Sequence, residues 1–317
     1  MHKRPLGQTG LEIAPLVFGG NVFGWTVDEK HSFDLLDAFV DAGLNAIDTA
    51  DMYSIWVPGH SGGESEAIIG KWLAAHPGKR DKVLLFTKVG MDLGGDRTGL
   101  SARWITRAVE DSLRRLQTDH IDLYQSHRPD PDTPDEETLG AYADLIKAGK
   151  VRAIGASNFD AAQMEAALAT SAKAGLPRYA TLQPQYNLYD RASYDGPLRD
   201  LAMREGLGVI PYYGLAAGFL SGKYRSEADL GKSVRGGKVG SYLTPRGLRI
   251  LDALDGVAAD HGAQPAEVAL AWLMARDGVT APIASATNRI QLASLVQAVH
   301  LTLTAANIAT LDDASAP

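Results

Sequence analysis

Short apolar or β-branched runs alternate along the chain with longer segments in which apolar residues recur every three or four positions. Residues 16–20 read as a strand and 28–42 as an amphipathic helix. Residues 44–48 form the next strand, followed by a helix over 64–75. Residues 83–88 precede a helix that Ser101 opens as its N-cap. That helix runs through Leu116, with Ile105, Val109, Leu113 and Leu116 at helical spacing. Residues 121–127 precede a helix over 135–148, and 151–157 precede a helix capped by Asp160. Runs at 180–185, 207–212 and 281–285 bring the strand-like segments to eight, each trailed by a helix. Alternation of this kind implies a parallel sheet. Eight units imply an α/β fold of the closed (β/α)8 TIM-barrel type rather than an open doubly wound sheet, with residues 1–317 as one domain.

Two segments fall outside the repeat. Residues 6–13 hold two short runs around a Thr9-Gly10 turn, which predicts an N-terminal β-hairpin that plugs the bottom of the barrel. Residues 224–244 are rich in Gly, Lys, Arg and Ser, lack periodicity, and read as a long mobile loop.

Composition narrows the function. The chain has 317 residues, 45% of them hydrophobic, so a large core is available. A net charge of −7 without a basic block argues against a nucleic-acid partner. The absence of cysteine excludes disulfides, thiol nucleophiles and thiolate metal sites. Eight histidines are scattered without metal-ligand spacing, so no metal is expected. No apolar run is long enough to span a membrane and no secretory h-region follows the N-terminus, so a soluble cytoplasmic protein is the expectation, as a monomer or homo-oligomer.

Four polar residues stand where strand-like runs end. Asp48 closes 44–47, Tyr53 lies in the following loop, Lys88 closes 83–87 and His127 closes 121–126. In a parallel barrel all four gather at the C-terminal mouth, where such barrels do chemistry. Carbonyl reduction needs a hydride donor, which no side chain supplies, and a proton for the developing alkoxide. A tyrosine with a reference pKa of about 10 could give that proton if a neighbouring ammonium, here Lys88 oriented by Asp48, stabilised its phenolate. His127 could hydrogen-bond the carbonyl oxygen. Each residue also has a structural reading. Asp48 and Thr49 could cap a turn, Tyr53 could be a loop aromatic, Lys88 a solvated strand end, and His127 a structural hydrogen-bonder.

The motifs Asp48-Thr49-Ala50-Asp51-Met52-Tyr53, Thr87-Lys88-Val89-Gly90 and Ile121-Asp122-Leu123-Tyr124-Gln125-Ser126-His127 carry a resemblance. So do Gly155-Ala156-Ser157-Asn158-Phe159, Gln183-Pro184-Gln185-Tyr186-Asn187 and Gly218-Phe219-Leu220-Ser221-Gly222-Lys223-Tyr224. Nearly end to end, the chain resembles the aldo-keto reductases, in the branch that includes bacterial reductases and potassium-channel β subunits. The resemblance implies a (β/α)8 barrel with NAD(P)H across its C-terminal face and a catalytic tetrad of Asp48, Tyr53, Lys88 and His127. It assigns Ser157, Asn158 and Gln183 to the nicotinamide carboxamide and Tyr212 to stacking on the ring. Gly214, Leu215, Ala216 and Lys223 fall to the pyrophosphate, and Ser285, Ala286, Thr287 and Gln291 to the adenosine end. Gly20, Asn21 and Asp48 also fall beside the cofactor. NADPH is the expected coenzyme, with NADH as the alternative and Arg235 or Arg289 as candidates for the 2′-phosphate.

Three departures from the family pattern stand out. The loop over 54–63 is long and could shape the substrate pocket. Tyr212-Tyr213-Gly214-Leu215 lacks the family's proline, which is expected to loosen the phosphate-side turn. Ser294 and Leu295 replace a frequent Glu and Asn at the adenine clamp. Residues 218–223 are not a triphosphate-binding loop, because the spacing is one short and Tyr224 stands in place of Ser or Thr. Trp25 and Trp56, both in loops after strand-like runs, join Tyr53 and His127 as candidate substrate-binding residues; either indole could instead pack structurally.

The expected activity is therefore reversible reduction of a small aldehyde or ketone. A non-enzymatic nucleotide-binding redox sensor or regulatory subunit is the alternative. A hydrolase built on Ser126 and His127 is disfavoured, because adjacent strand residues point to opposite faces.

Overall fold

Eight short parallel strands surround a common interior in the computed structural model, which describes residues 2–316. A hairpin of β1 (Arg4–Pro5) and β2 (Glu12–Ile13) precedes them. The barrel strands are β3 (Val17–Gly19), β4 (Ala46–Asp48), β5 (Leu84–Val89), β6 (Ile121–Ser126), β7 (Val151–Ser157), β8 (Thr181–Gln183), β9 (Gly208–Val209) and β10 (Ile283–Ala284). Their order is β10-β3-β4-β5-β6-β7-β8-β9. The two ends of this ladder meet through single backbone hydrogen bonds. Thr280 N donates to Val209 O (2.8 Å) and Ile283 N to Pro211 O (2.8 Å), which closes the (β/α)8 barrel.

Strand alternation sorts the side chains. Phe18, Ile47, Leu85, Tyr124, Ile154 and Leu182 face outward into the core shared with the helices. Val17, Ala46, Phe86, Leu123, Ala153, Ile210 and Ile283 face inward and pack with Leu6, Leu11 and Ile13 of the hairpin. Two residues further along each strand the inward positions turn small or polar: Gly19, Asp48, Lys88, Gln125, Gly155, Gln183, Tyr212 and Ser285. The apolar layer and hairpin seal the lower end, so the polar layer faces the open mouth.

The hairpin plugs the barrel as expected, with its strands set wider. Arg4 pairs with Ile13 and Pro5 with Glu12, so residues 6–11 form the turn. Gly7, at φ +54°, presses so close to Ala180 O and Gly208 N that any Cβ would collide with them.

The helices start where their caps dictate. Asp28 accepts from His31 N before Glu29–Asp41, Ser101 from Trp104 N before Ala102–Leu116, and Asp160 forms a capping box with Gln163 before Ala161–Ala174. The helix Glu64–Ala75 follows Gly63, whose φ of 87° ends the preceding loop. It meets Ala102–Leu116 at Gly70, where a Cβ would sit 2.9 Å from Leu116 Cα.

The segment over 224–244 is not the featureless loop that its composition implies. It folds into helical turns at Glu227–Lys232, Gly236–Val239 and Gly240–Tyr242. Buried Tyr224 and Val239 anchor it, and Tyr224 and Ser233 hydroxyls pair at 2.7 Å. Turns this short are too brief to show a hydrophobic period. Among the described residues, no single helix is long and apolar enough to cross a membrane.

Candidate functional site

Asp48, Tyr53, Lys88 and His127 come together at the mouth. Asp48 ends β4 and Lys88 lies in β5, and both are almost wholly buried. Lys88 Nζ uses three donors: to Asp48 Oδ2 (2.6 Å), the Thr49 carbonyl (2.8 Å) and Tyr53 Oη (2.9 Å). Tyr53 Oη donates to Asp48 Oδ2 at 3.4 Å. The His127 ring stands edge-on to Tyr53, with centroids 6.1 Å apart. Ser126 turns away, its hydroxyl bonded to those of Tyr142 (2.9 Å) and Tyr179 (2.7 Å). It thus faces the opposite side from His127.

Gln125 belongs to this centre and escaped the sequence reading. Its Nε2 donates to Asp48 Oδ1 (3.3 Å), as does Gln183 Nε2 (3.0 Å), and Gln183 also reaches Gln125 Oε1 (3.1 Å). Asp48 therefore accepts on both oxygens. The available signal was alternation: Leu123, Gln125 and His127 share one face of β6 and its extension.

Burial dominates the protonation of the group. It raises the Tyr53 phenol well above its ordinary value, and the charge of Asp48 raises it further. The sequence argument weighed only Lys88, which favours the phenolate; the structure adds burial and the carboxylate, which favour the phenol. Burial also lowers Lys88 despite the opposing pull of Asp48. Burial, then Lys88 and Arg128, hold His127 well below its usual range, so its imidazole is neutral. Behind the site, Asp51 is buried, and neither carboxylate oxygen has a hydrogen-bond partner among the described residues. Burial and the nearby Glu66 push its pKa up, which favours the neutral acid.

The remaining sequence candidates lie round the same mouth. Asn21 Oδ1 and the Gly19 carbonyl both lie 2.7 Å from the Ser285 hydroxyl, and Gly20 begins the turn between them. Ser157 Oγ donates to the Gln183 carbonyl (2.9 Å). Asn158, left-handed at φ 62°, donates to the His127 carbonyl (2.9 Å) and accepts from Tyr212 Oη (2.7 Å). Gly214 and Leu215 lead into a left-handed run at Ala216 (φ 48°), Ala217 (φ 57°) and Gly218 (φ 100°). Each left-handed alanine costs about 1–2 kcal/mol, and such backbone forms concavities that suit anions. Lys223 Nζ lies 4.0 Å from where a Gly218 Cβ would be. The turn is firm without proline: Ala216 N and Asn187 Nδ2 both donate to the Tyr213 carbonyl (2.7 and 3.0 Å).

At the far end, Ala286 is buried, and Gln291 Oε1 accepts from Thr287 N (2.8 Å) and Oγ1 (3.1 Å). Arg289 is held by both oxygens of Asp34, at 2.7 Å each. Ser294 bonds Glu267 (2.8 Å) and Leu295 is buried, so both serve helix packing. The Trp25 and Trp56 rings meet edge-on at 5.5 Å, and Trp56 lies 6.2 Å from the Tyr53 ring. Arg235 stands over Trp25, at 5.1 Å from the ring centroid.

Comparison with known proteins finds a match to the model of the aldo/keto reductase family over residues 15–316. The chain is 37% identical over 313 residues to "Uncharacterized oxidoreductase YrpG" of Bacillus subtilis, covering 96% of this chain and 92% of that protein. It is 35% identical to "Aldo-keto reductase YhdN" of Bacillus subtilis, over 96% of this chain and 90% of the relative. "Protein tas" of Escherichia coli is 32% identical, over 95% and 93%.

Proposed function

Because the chain belongs to the aldo/keto reductase family, we propose that it reduces an aldehyde or ketone to the alcohol with NAD(P)H, reversibly, from one barrel domain. The observation that carries this reading is the single ammonium of Lys88 bonded to both Asp48 and Tyr53 at the barrel mouth. When bound, the reduced nicotinamide supplies the hydride. Tyr53 is the proton donor: its raised pKa keeps it protonated, and a developing alkoxide is basic enough to take that proton. Lys88 steadies the phenolate left behind, and Asp48 fixes Lys88. Neutral His127 orients the carbonyl oxygen by donating a hydrogen bond. Acid catalysis of this type contributes roughly 10²–10⁴-fold.

The mouth residues suit a dinucleotide. Ser157, Asn158 and Gln183 offer hydroxyl and amide groups for a carboxamide, and Tyr212 offers an aromatic face. The left-handed run at 216–218 with Lys223 suits the pyrophosphate. Gly20, Asn21, Ser285, Ala286, Thr287 and Gln291 extend the cleft. NADPH is the proposed coenzyme and NADH the alternative. With Arg289 held by Asp34 and Arg235 standing over Trp25 near Tyr53 and Tyr213, recognition of the 2′-phosphate would fall to neutral donors, so discrimination is expected to be less than about tenfold, or 1.4 kcal/mol. The proposed setting is the cytoplasm.

The test follows NADPH, then NADH, by absorbance with a reactive aromatic aldehyde. Tyr53→Phe should lower kcat at least about 100-fold while coenzyme affinity, read by fluorescence, stays the same. Unchanged turnover refutes the assignment. Tight coenzyme binding without turnover on a broad carbonyl panel favours a regulatory subunit instead.

A further inference from the structure

The turn that suits the pyrophosphate is held in shape from outside. Tyr213 (φ 56°), Ala216 (φ 48°) and Ala217 (φ 57°) are non-glycine residues in the left-handed region, which L side chains avoid. Such a conformation persists only where its surroundings over-determine it. Here the surroundings are the segment that follows β8. Tyr212 N donates to the Pro184 carbonyl (2.9 Å) and Tyr186 N to the Tyr212 carbonyl (3.3 Å). Asn187, wholly buried, then donates through Nδ2 to the Tyr213 carbonyl (3.0 Å). Ala216 N donates to that same carbonyl (2.7 Å), so Asn187 grips the turn at its first left-handed residue.

Asp190 in turn fixes Asn187. Asn187 Oδ1 accepts from the backbone N–H of Tyr189 and of Asp190, at 2.8 Å each, and its Nδ2 donates to Asp190 Oδ2 (2.9 Å). The same Oδ2 accepts from Gln185 Nε2 (2.9 Å) and from Tyr242 Oη (2.9 Å). Tyr242 belongs to the return of the 224–244 segment. Its ring stacks on Phe219 at 5.5 Å and meets Tyr189 edge-on at 4.8 Å. Phe219 lies in the helical turn Ala216–Ser221 that continues the left-handed run. Burial and the neighbouring carboxylate hold the Tyr242 phenol above its ordinary value, so it remains a donor. One oxygen thus gathers donors from both ends of the strained turn.

We propose that Asp190 is a positioning residue for the coenzyme: it keeps the turn over 213–218 in its anion-binding shape, through Asn187 on one side and Tyr242 on the other. This rests on the coenzyme reading above. A turn already shaped for its ligand binds without the cost of ordering it. Asp190 acts on the turn and not on the reacting carbonyl, so its removal weakens coenzyme binding and leaves hydride transfer in the bound state intact.

The test measures by calorimetry the Kd of NADPH and of ADP-ribose, which keeps the pyrophosphate and lacks the nicotinamide, in wild type, Asp190→Ala and Asp190→Asn. All three side-chain donors meet Oδ2, so asparagine can offer them its single oxygen and alanine cannot. Asp190→Ala should weaken both ligands by the same factor, at least about tenfold, and Asp190→Asn should stay within about threefold of wild type. At saturating NADPH, the single-turnover rate and the aldehyde KM of Asp190→Ala should stay within about threefold of wild type. Both Kd values within about twofold of wild type in Asp190→Ala overturn the proposal, and so does an Asp190→Asn as weak as Asp190→Ala. A loss confined to the single-turnover rate also overturns it, because that would put the effect at the reacting carbonyl. If circular dichroism shows that Asp190→Ala does not fold, Tyr242→Phe keeps the ring and removes one donor. The NADPH Kd should then rise at least about threefold, and an unchanged Kd overturns the proposal. If wild type binds neither NADPH, NADH nor ADP-ribose, the coenzyme reading fails and takes this one with it. If wild type binds them and Asp190→Ala binds them equally well, only this proposal fails.

Discussion

Replacing Asp48 by asparagine removes one charge and keeps the shape of the side chain. In the native site Asp48 accepts from Lys88, Tyr53, Gln125 and Gln183, so every neighbour is a donor. Asparagine offers one acceptor oxygen, and its amide hydrogens must face donors on the other side. Lys88, wholly buried, loses its counter-charge. Breaking a buried pair in this way costs about 3–5 kcal/mol. The loss has a ceiling, because Lys88 can shed its proton instead. Holding a lysine neutral costs about 4.5 kcal/mol at pH 7 and about 2 at pH 9, relative to an unfolded pKa of about 10.4. Burial already lowers Lys88 in the native protein, and the substitution lowers it further. The unfolded chain then binds more protons than the folded one, so stability rises with pH. Asp48→Asn should therefore be less stable than wild type by about 3–5 kcal/mol at pH 7, with the deficit shrinking towards pH 9. Urea unfolding from pH 6 to 9 measures it. A deficit below about 1 kcal/mol, or one that is flat across this range, refutes the argument that the pair is desolvated.

Three further outcomes follow from the same structure. Alcohol oxidation requires Tyr53 as phenolate, and burial with Asp48 raises its pKa, so the oxidation rate should still be climbing at pH 9; a plateau below pH 8 contradicts this. Asp51 has a raised pKa, so wild type loses stability as pH rises from its unfolded value of about 3.9 towards the folded one. Asp51→Asn should raise stability by about 1–3 kcal/mol at pH 8 and do little at pH 4, and equal melting shifts at both would exclude it. Gly70→Ala forces a methyl group against the Arg115–Leu116 backbone and should cost about 1–3 kcal/mol in thermal unfolding; an unchanged melting temperature would mean that the two helices are free to part.

Much of the fold was legible because several helices carry their own start signal. Asp28, Ser101 and Asp160 set the boundaries that the structure shows. The strand ends were less legible. Runs at 207–212 and 281–285 contain ladders of only two residues, Gly208–Val209 and Ile283–Ala284, because single hydrogen bonds replace paired ones where the barrel closes. The segment over 224–244 hid its turns because none is long enough for a period to emerge. At the site, placing polar residues at strand ends located Asp48, Lys88 and His127. Gln125 was missed because a glutamine inside an apolar strand shows its purpose only when the inward face is known. The protonation of Tyr53 was misjudged for a related reason: the sequence names a neighbouring ammonium, whereas burial and the second carboxylate contact are properties of the assembled barrel.

The seam of the barrel has a consequence for how the chain folds. Strand β3 finds its partner in β10, with Val17 beside Ile283, and Arg4 reaches the Thr280 carbonyl at 3.0 Å. Strand β3 thus waits for a strand made long after it. Until then β3 has one open edge, and the hairpin leucines lack the part of their floor that Ala281 and Ile283 form. Such distant pairings make folding slow and leave unpaired edges exposed to other chains. Conditions that hasten aggregation during synthesis should therefore act on the open ring, before the C-terminal strand arrives to shut it.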